Sequence, residues 1–540
     1  MNGFLQRRAK TVASLVEKPL DLLVIGGGIV GAGIIRDAAM RGLRAGLVEQ
    51  HDFASGTSSR SSRLLHGGIR YLAQGRVGLV HEASVEKKII HEIAPHLADP
   101  LPFLFPSYRA NKEWVLWQLK IGVKIYDLLC SGKNLGNSSW LNARETLQRV
   151  PGLSPEGLTG AVRYFDGFTN DARLVLDTLR SAARHGATLA NYCRFLDATQ
   201  IEPGKQNDVR RSKQSADNSP SPGGEGRDEG GLSVAEARGS EIKFDCDLWK
   251  CNLTDALSGT TLIVQAKTIV NATGPWADRL PHSRVKLRLA KGVHLVMDRA
   301  RIPVPDTVVM TEGKRILFAI PWGERTILGT TDTDYNGPLD RIFAESADIR
   351  YILEITNRFF PTANLSQNDV ISSWAGVRPL IADPHGSPSD ISRSHQIRNP
   401  EPGWWDVAGG KLTTYRLMAE ETVNQIIHAL KRAGLKPEPA SCSTAKEPLL
   451  PQTETTGISG ILPPEFSRDV VRHFCENEWA VHLDDIMVRR TSWHYYYKDA
   501  DARARQVAAW VKEFLDWPDD DAAKEIKHYH ELTHLTEPRA

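Results

Sequence analysis

Three glycines near the start of the chain have the spacing of a phosphate-binding turn. Gly26, Gly28 and Gly31 form a Gly-x-Gly-x-x-Gly pattern. In such a pattern the first glycine allows a tight turn, the second lets the backbone approach a pyrophosphate, and the third lets a helix pack closely on a strand. The helix that follows offers unpaired N–H groups to phosphate oxygens. The pattern therefore predicts a dinucleotide-binding site.

The residues around this turn predict the elements that must position it. Leu22–Ile25 is a short apolar run typical of a buried strand, a helical stretch continues to Met40, and Ala45–Glu49 has the pattern of a second strand. Together they make a compact βαβ unit. Glu49 ends the second strand, where a carboxylate accepts hydrogen bonds from ribose hydroxyls but repels a 2′-phosphate. NADP is therefore disfavoured, whereas this unit does not separate FAD from NAD.

Length, charge and cysteine spacing exclude several classes of protein. At roughly 150 residues per domain, a chain of 540 residues is long enough for several domains. Its 67 basic and 65 acidic residues leave a net charge of +2, which argues against a nucleic-acid-binding protein that works through bulk positive potential. None of the six cysteines belongs to a Cys-x-x-Cys pair, so we expect no metal site and a reducing compartment. We also expect neither a membrane-spanning segment nor a secretory signal.

Two segments have distinctive compositions. Residues 111–130 predict an amphipathic helix with Trp114, Trp117, Ile121, Ile125 and Leu128 on one face. The favoured interpretation is that this face packs on the core, and the alternative is that it lies on a membrane surface.

Residues 203–231 contain no aromatic side chain and only one large aliphatic one. They are expected to form a mobile surface insertion, because burial cannot offset the entropy of ordering them.

A family resemblance rests on seven motifs that occur in order along the chain. They are Thr57–Leu72 (TSSRSSRLLHGGIRYL), Asp171–Leu174, Asn271–Trp276, Lys291–His294, Gly329–Asp332, Gly376–Leu380 and Gly409–Arg416. In these motifs the chain resembles the FAD-dependent glycerol-3-phosphate dehydrogenases. It departs from them at the 203–231 insertion and at Arg63, where the family usually has lysine.

The pattern and the resemblance together imply an α/β fold that binds FAD. The expected architecture is a Rossmann-like FAD-binding domain, a mostly antiparallel β substrate domain and an α-helical C-terminal domain. The FAD-binding domain is assigned residues 18–100, 151–280 and 401–435, a helical part of the substrate or cap region 101–150, the substrate domain 281–400 and the C-terminal domain 440–540. The expected FAD-binding residues are Gly26, Gly28, Gly31, Glu49, Thr57, Ser58, Ser62, Leu65, His66, Gly67, Ala272, Gly274, Gly409, Gly410, Leu412 and Thr413.

The resemblance also implies sn-glycerol 3-phosphate as the substrate. Guanidinium groups suit a phosphate dianion because their fork of N–H donors matches its oxygens. Arg393, helped by Arg70 and Tyr71, is expected to hold the phosphate.

The hydroxyl end of this substrate calls for a proton acceptor and for groups that orient it. Arg378 and Lys411 are expected to orient the hydroxyl. His294 is the candidate general base, since an unperturbed imidazole titrates near neutral pH. If Lys411 instead stabilises the reacting alkoxide, the base is left unassigned.

The destination of the electrons is implied by the resemblance alone. The family usually reduces a membrane quinone, which implies a peripheral enzyme on the inner face of the cytoplasmic membrane. A glycerol-3-phosphate oxidase that uses oxygen is the alternative within the same chemistry. An amino-acid or 2-hydroxyacid oxidase and a non-catalytic flavin-binding protein are further alternatives. The aromatic residues of the C-terminal region predict a helical core and leave open a contact within a homodimer or with a membrane.

Overall fold

The computed structural model describes residues 3–73, 75–130, 134–201, 248–382, 395–434 and 438–533. The predicted 203–231 insertion and Arg393 lie outside these ranges. The helices are α1 (Gly3–Val16), α2 (Ile29–Met40), α3 (Ile69–Ala73), α4 (Val77–Ile93), α5 (Leu116–Leu129), α6 (Ala143–Arg149), α7 (Asp171–Arg184), α8 (Ser346–Phe359), α9 (Tyr415–Arg432), α10 (Arg468–Asn477), α11 (Trp493–Tyr496), α12 (Ala500–Leu515) and α13 (Asp519–Thr533).

The strands fall into two sheets. They are β1 (Leu20–Ile25), β2 (Ala45–Val48), β3 (Leu64–Leu65), β4 (Asp99–Tyr108), β5 (Ser139–Asn142), β6 (Leu158–Phe168), β7 (Thr188–Ala190), β8 (Cys193–Ile201), β9 (Leu248–Asp255), β10 (Thr261–Asn271), β11 (Leu287–Asp298), β12 (Thr307–Glu312), β13 (Arg315–Trp322), β14 (Arg325–Gly329), β15 (Thr333–Asp334), β16 (Val370–Ile381), β17 (His395–Glu401) and β18 (Trp404–Gly409).

The first sheet contains the predicted βαβ unit. Its strand order is β17-β18-β10-β1-β2-β7, and β1 pairs in parallel with both β2 and β10. β18 is also parallel to β10, so the carboxyl ends of these strands meet at one edge of the sheet. Helices α2, α7 and α9 bury their apolar side chains against it in one core. In open α/β sheets this edge is where ligands bind.

The second sheet is mostly antiparallel, as predicted. Its order is β15-β11-β14-β13-β12-β4-β6-β3, with β16 paired to β11 and β5 paired to β6. Among its described pairs, β4 with β12 is the parallel one. The long β11–β16 ladder places Lys291 opposite Val377 and His294 opposite Trp374. This register places the Lys291–His294 motif beside the start of the Gly376–Leu380 motif.

The C-terminal region is helical in the residues described, 438–533. Helices α10 to α13 and a π-helical turn (Asp485–Arg490) enclose their own apolar core. Phe474, Met487 and Trp493 are fully buried in it. The predicted α/β fold with a helical C-terminal domain is therefore confirmed.

The favoured interpretation of residues 111–130 is wrong. The helix here is α5, and its side chains Trp117 (61% exposed), Ile121 (52%), Ile125 (40%) and Leu128 (75%) face outward. The face that packs on the sheet instead carries Leu119, Val123 and Tyr126. Periodicity located the helix but not its inner face, because apolar residues occur on both sides of it.

Residues 101–150 were expected to be helical and are only partly so. They contain α5 and α6, but also most of β4 and all of β5, which pair with β6 in the second sheet. The proline-rich run of β4 (DPLPFLFPSY) obscured the strand, since proline lacks the N–H that a ladder uses. No helix in the described ranges is both long enough and apolar enough to cross a bilayer.

Candidate active site

One cavity of about 850 Å³ lies where the two sheets meet. It extends from the carboxyl ends of the parallel strands to the face of the second sheet. The expected site residues that line it are Gly26, Gly28, Glu49, Thr57, Ser58, Ser62, His66, Tyr71, Ala272, Gly274, His294, Arg378, Gly409, Gly410, Lys411, Leu412 and Thr413. Gly31, Leu65 and Gly67 are buried nearby but are not among the lining residues. Arg70 lies in α3, and its side chain is outside what the structure describes.

The glycine turn brings the chain close to its neighbours. A Cβ at Gly26, which has φ +110°, would lie 2.6 Å from the carbonyl oxygen of Ala272. A Cβ at Gly31 would lie 1.9 Å from the carbonyl oxygen of Gly26. The N-terminus of α2 points into the cavity, where Ser58 Oγ accepts a hydrogen bond from the Ile29 N–H at 3.0 Å. This geometry suits a pyrophosphate.

Glu49 occupies the position expected of a ribose ligand. Its carboxylate accepts hydrogen bonds from the backbone N–H of Gly27 at 2.7 Å and of His51 at 3.0 Å. Burial raises the pKa of Glu49, and these two N–H groups oppose that shift. The carboxylate is thereby fixed at the end of β2 and lines the cavity.

The 57–68 segment is attached to the second sheet, to α5 and to the turn after β18. Thr57 Oγ1 donates to the carbonyl oxygen of Val377 at 2.7 Å, and the Gly67 N–H donates to the Tyr126 hydroxyl at 3.0 Å. Thr413 Oγ1 accepts from the His66 N–H at 3.1 Å. These bonds hold the hydroxyl-rich loop along the cavity wall.

Lys411 reaches the cavity from the turn after β18. Gly409 and Gly410 have φ of +76° and +77°, which turns the chain sharply towards α9. The Lys411 Nζ donates to the carbonyl oxygen of Gly67 at 3.3 Å and lies 4.2 Å from the ring centre of Tyr71. A cation over an aromatic face is stabilised by the ring quadrupole. The structure therefore brings together Lys411 and Tyr71, two of the expected site residues.

Arg378 is the point where three motifs meet. Its Nη1 donates to Asp332 Oδ1 at 3.0 Å and its Nη2 to Thr330 Oγ1 at 3.1 Å. A Cβ at Gly292 would lie 2.5 Å from Nη2, so a side chain there would displace the guanidinium from this position. The guanidinium is thereby oriented in the cavity wall.

His294 lies on β11 with 1% of its surface exposed. Its ring stacks on Trp374 with centroids 5.1 Å apart, and its Nε2 lies 2.8 Å from Ser62 Oγ. Burial, and then the charges of Arg378 and Arg63, hold the pKa of His294 well below its usual range. Burial and these two cations therefore favour the uncharged form of the imidazole.

Sequence reasoning did not select several residues that shape this site. Asp332 holds Arg378, Trp374 supports the His294 ring, and Tyr126 bonds Gly67. Asp332 belongs to a motif already noted in the sequence. Trp374 and Tyr126 carry no local signal, because their contacts come from sheet register and helix packing.

The comparisons with known proteins agree with this geometry. Residues 21–218 and 231–424 match the family model described as FAD dependent oxidoreductase. The chain belongs to this family.

Several curated relatives in this FAD-dependent oxidoreductase family match most of the chain. An aerobic glycerol-3-phosphate dehydrogenase of Bacillus subtilis is 36% identical over 448 residues, which cover 82% of this chain and 73% of the relative. A glycerol-3-phosphate dehydrogenase of Mycobacterium leprae is 32% identical over 583 residues, covering 97% and 90%. An alpha-glycerophosphate oxidase of Streptococcus pyogenes is 34% identical over 489 residues, covering 79% and 73%. The predicted resemblance to glycerol-3-phosphate dehydrogenases is confirmed.

A solved structure supports the cofactor. The glycerol-3-phosphate dehydrogenase from Bacillus halodurans complexed with FAD is similar with a TM-score of 0.69 and 28% identity, covering 98% of this chain and 97% of its own. FAD is the cofactor of this chain, as predicted. The residues present fit it: the glycine turn at Gly26 leaves room for the pyrophosphate, Glu49 is placed for the ribose, and the helix after Gly410 begins at the cavity.

Proposed function

We propose that the protein oxidises sn-glycerol 3-phosphate at C2 to dihydroxyacetone phosphate. The observation that carries this proposal is the meeting of Lys411, Arg378, Tyr71 and the uncharged His294 in the cavity that the FAD-binding elements line. The printed names of the relatives, dehydrogenases and oxidases of the same compound, support the same substrate. When bound, FAD supplies the acceptor for the hydride that leaves C2.

The positively charged groups bind and orient the substrate. Arg70, Tyr71 and Arg393 hold the phosphate, while Arg378 and Lys411 orient the hydroxyl end. The Arg378 guanidinium keeps a fixed direction because Asp332 and Thr330 bind it. To test the phosphate role, Arg393→Ala should raise KM sharply and leave the FAD content intact. An unchanged KM would remove Arg393 from the site.

His294 accepts the hydroxyl proton at Nε2, the atom that now bonds Ser62. Its lowered pKa favours the uncharged ring, and only the uncharged ring has a nitrogen lone pair that can accept a proton. Trp374 fixes the ring plane, so the proton is taken in one defined direction. The alternative is that Lys411 lowers the proton affinity of the alkoxide, in which case His294→Asn would retain near-wild-type rates of flavin reduction.

We infer that a membrane quinone is the final electron acceptor. The support is indirect: relatives named as aerobic dehydrogenases match at 35–36% identity, and α5 presents an apolar outer face that suits a membrane. Oxygen is the alternative, because relatives named as oxidases also match. Peroxide formed per substrate oxidised, with and without a quinone analogue, separates the two. Full peroxide yield in the presence of the analogue would overturn the quinone proposal.

The outer face of α5 is our candidate for peripheral attachment to the inner face of the cytoplasmic membrane. Trp117 and Leu128 are its most exposed side chains. Two lysines of α5 flank it: Lys120 and Lys124 lie 5.4 and 5.6 Å from the ring centre of the exposed Trp140. Apolar side chains beside lysines are typical of a helix that lies in an anionic membrane interface.

Vesicle sedimentation tests this attachment. The double variant Trp117→Ser/Leu128→Ser should lose binding to vesicles that contain anionic lipid, while flavin reduction by substrate is unchanged. Ile263→Ser is the matched control, since Ile263 is 50% exposed on β10, outside α5. Equal sedimentation of all three proteins, or no sedimentation of the wild type, would contradict the proposal.

A further inference from the structure

Arg63 is a buried cation whose hydrogen bonds are incomplete. Its guanidinium is fully enclosed, and Nη2 donates to Ser492 Oγ at 3.1 Å. The nearest carboxylate is that of Asp171, 3.9 Å from Nε. Nε and Nη1 have no hydrogen-bond partner among the described residues. Burying a charge with so few partners is costly, so such a group calls for an explanation.

Two indole rings hold the guanidinium in place. Its Cζ lies 4.5 Å from the ring centre of Trp322 and 5.2 Å from that of Trp374. Trp374 is anchored in turn, because its Nε1 donates to the carbonyl oxygen of Ser61 at 3.1 Å. Trp374 is also the ring on which His294 stacks, with an angle of 18° between the planes. Arg63 therefore places a fixed positive charge one aromatic ring away from the imidazole.

Few other charges face His294. The strands paired with β11 place Gly329 and Trp374 opposite it, and neither residue titrates. Arg378 is the other cation that acts on His294, and it belongs to the substrate site. Around Arg63, the groups that titrate are Asp171 and Tyr495, whose ring contacts Trp374 at 5.1 Å.

We propose that Arg63 is a positioning residue for His294: its guanidinium holds the Trp374 ring on which the imidazole stacks, and it places a fixed positive charge on the far side of that ring. The inference rests on the role of His294 in the proposed function. Lysine, which the resembling family has at this position, preserves the charge. Arg63 is not among the residues that line the cavity, so its effect reaches the base through the electrostatic field and the ring stack.

The test compares charged and neutral side chains at position 63 in the holoenzyme. Arg63→Gln and Arg63→Met remove the charge, and Gln retains a donor for Ser492; Arg63→Lys is the matched control. The direct readout is the NMR titration of the His294 ring, identified by the signal that His294→Asn removes. Because a nearby like charge shifts a pKa by about one unit or more, the titration midpoint should rise by about that amount in the neutral variants. It should stay near wild type in Arg63→Lys.

The second readout is the pH dependence of anaerobic flavin reduction by sn-glycerol 3-phosphate. Its acidic limb should move to higher pH in the neutral variants by the same amount as the NMR midpoint. Unchanged midpoints in folded, FAD-containing Arg63→Gln would overturn the proposal, as would an equal shift in Arg63→Lys. Should wild type fail to be reduced by this substrate, the proposed function falls while the NMR titration still decides the role of Arg63.

Discussion

Buried charges are arranged differently at the active-site cavity and at the contact between the FAD-binding domain and the C-terminal helices. At this contact, here called the C-terminal seam (Asp52, Arg173, Glu478, Arg489 and Arg490), opposite charges alternate. Arg173 makes two hydrogen bonds to Glu478, at 2.6 and 3.0 Å, and Asp52 lies between Arg489 and Arg490. At the cavity, the cations contact neutral groups as well as carboxylates: Arg378 binds the Thr330 hydroxyl besides Asp332. Lys411 contacts a carbonyl oxygen and a phenol ring. Arg63, which does not line the cavity but lies against Trp374, contacts two indoles and a hydroxyl, with the Asp171 carboxylate 3.9 Å away.

This difference indicates two roles for buried charge: the ion pairs of the C-terminal seam join two parts of the fold, and the cations near the cavity act on the reacting groups. Where guanidinium and carboxylate are matched, as at the C-terminal seam, the field is largely cancelled and the gain is a defined contact between domains. Where cations lie also beside aromatic rings and carbonyl groups, less of their field is cancelled, so it acts on His294 and, in the proposed function, on the anionic substrate. The two regions should therefore respond differently to mutation. Substitutions at the cavity should change the rate of flavin reduction, whereas substitutions at the C-terminal seam should change the free energy of unfolding.

The largest effect is expected at the cavity. His294→Asn removes the proton acceptor, so flavin reduction by substrate should slow by about 100- to 10,000-fold. The melting temperature and FAD content should stay close to wild type, because Asn fills part of the same space. Stopped-flow absorbance across about pH 6 to 9 measures the rate. His185→Asn, on an exposed helix end, is the control that should change nothing.

At the C-terminal seam, Glu478→Gln should reduce stability instead. Burial opposes ionisation of this carboxyl, but Arg173 holds the pKa of Glu478 well below its usual range. Removing one partner of a buried pair costs about 3–5 kcal/mol, measurable by denaturant unfolding. The reduction rate per bound FAD should not change.

The control for this variant is Glu513→Gln, which breaks the exposed pair with Arg468. It should cost at most about 1 kcal/mol. An equal loss of unfolding free energy in both variants would contradict the proposed difference between the two regions. A slower rate of flavin reduction in Glu478→Gln would contradict it as well.

A histidine of the C-terminal region should make the stability of the protein decrease as the pH rises above neutral. Burial disfavours the charged form of His482, but the hydrogen bond to Glu525 and the charge of Asp485 outweigh it and raise the pKa of His482 to about 9. The folded state therefore binds this proton more tightly than the unfolded state. The stabilisation is complete below the unfolded value of 6.5 and is lost as pH rises towards about 9.

His482→Gln should remove roughly 1–2 kcal/mol of stability at pH 6 and almost none above the folded pKa. Melting temperatures of the variant and of the wild type, measured across this pH range, show whether the stability difference between them shrinks as the pH rises. A difference in melting temperature that increases with rising pH would contradict this prediction.

The smallest effect is expected from a neutral contact in the cavity. Thr413→Val leaves the His66 N–H without its acceptor, which costs about 1 kcal/mol, or about fivefold in FAD affinity. Titration of the apoprotein with FAD measures this change. Thr199→Val, on an exposed position of β8, is the control and should leave FAD affinity unchanged.

The sequence predicted the local units of this fold well. The strand, glycine turn and helix from Leu20 to Met40 follow from short-range rules of chain geometry. The contacts that complete the site join distant segments: Trp374 supports His294, and Ser492 binds Arg63. Such pairings depend on sheet register and domain packing, which no local pattern encodes. The inward face of α5 was missed because apolar residues occur on both faces of this helix.

The central claim is that this cavity oxidises sn-glycerol 3-phosphate. Its most direct test is to mix the purified holoenzyme with this substrate in the absence of oxygen and of any other acceptor. The account predicts that the absorbance of oxidised flavin is lost while one dihydroxyacetone phosphate forms per FAD. Persistence of the oxidised flavin at saturating substrate would contradict it, and so would equal bleaching by amino acids or 2-hydroxyacids.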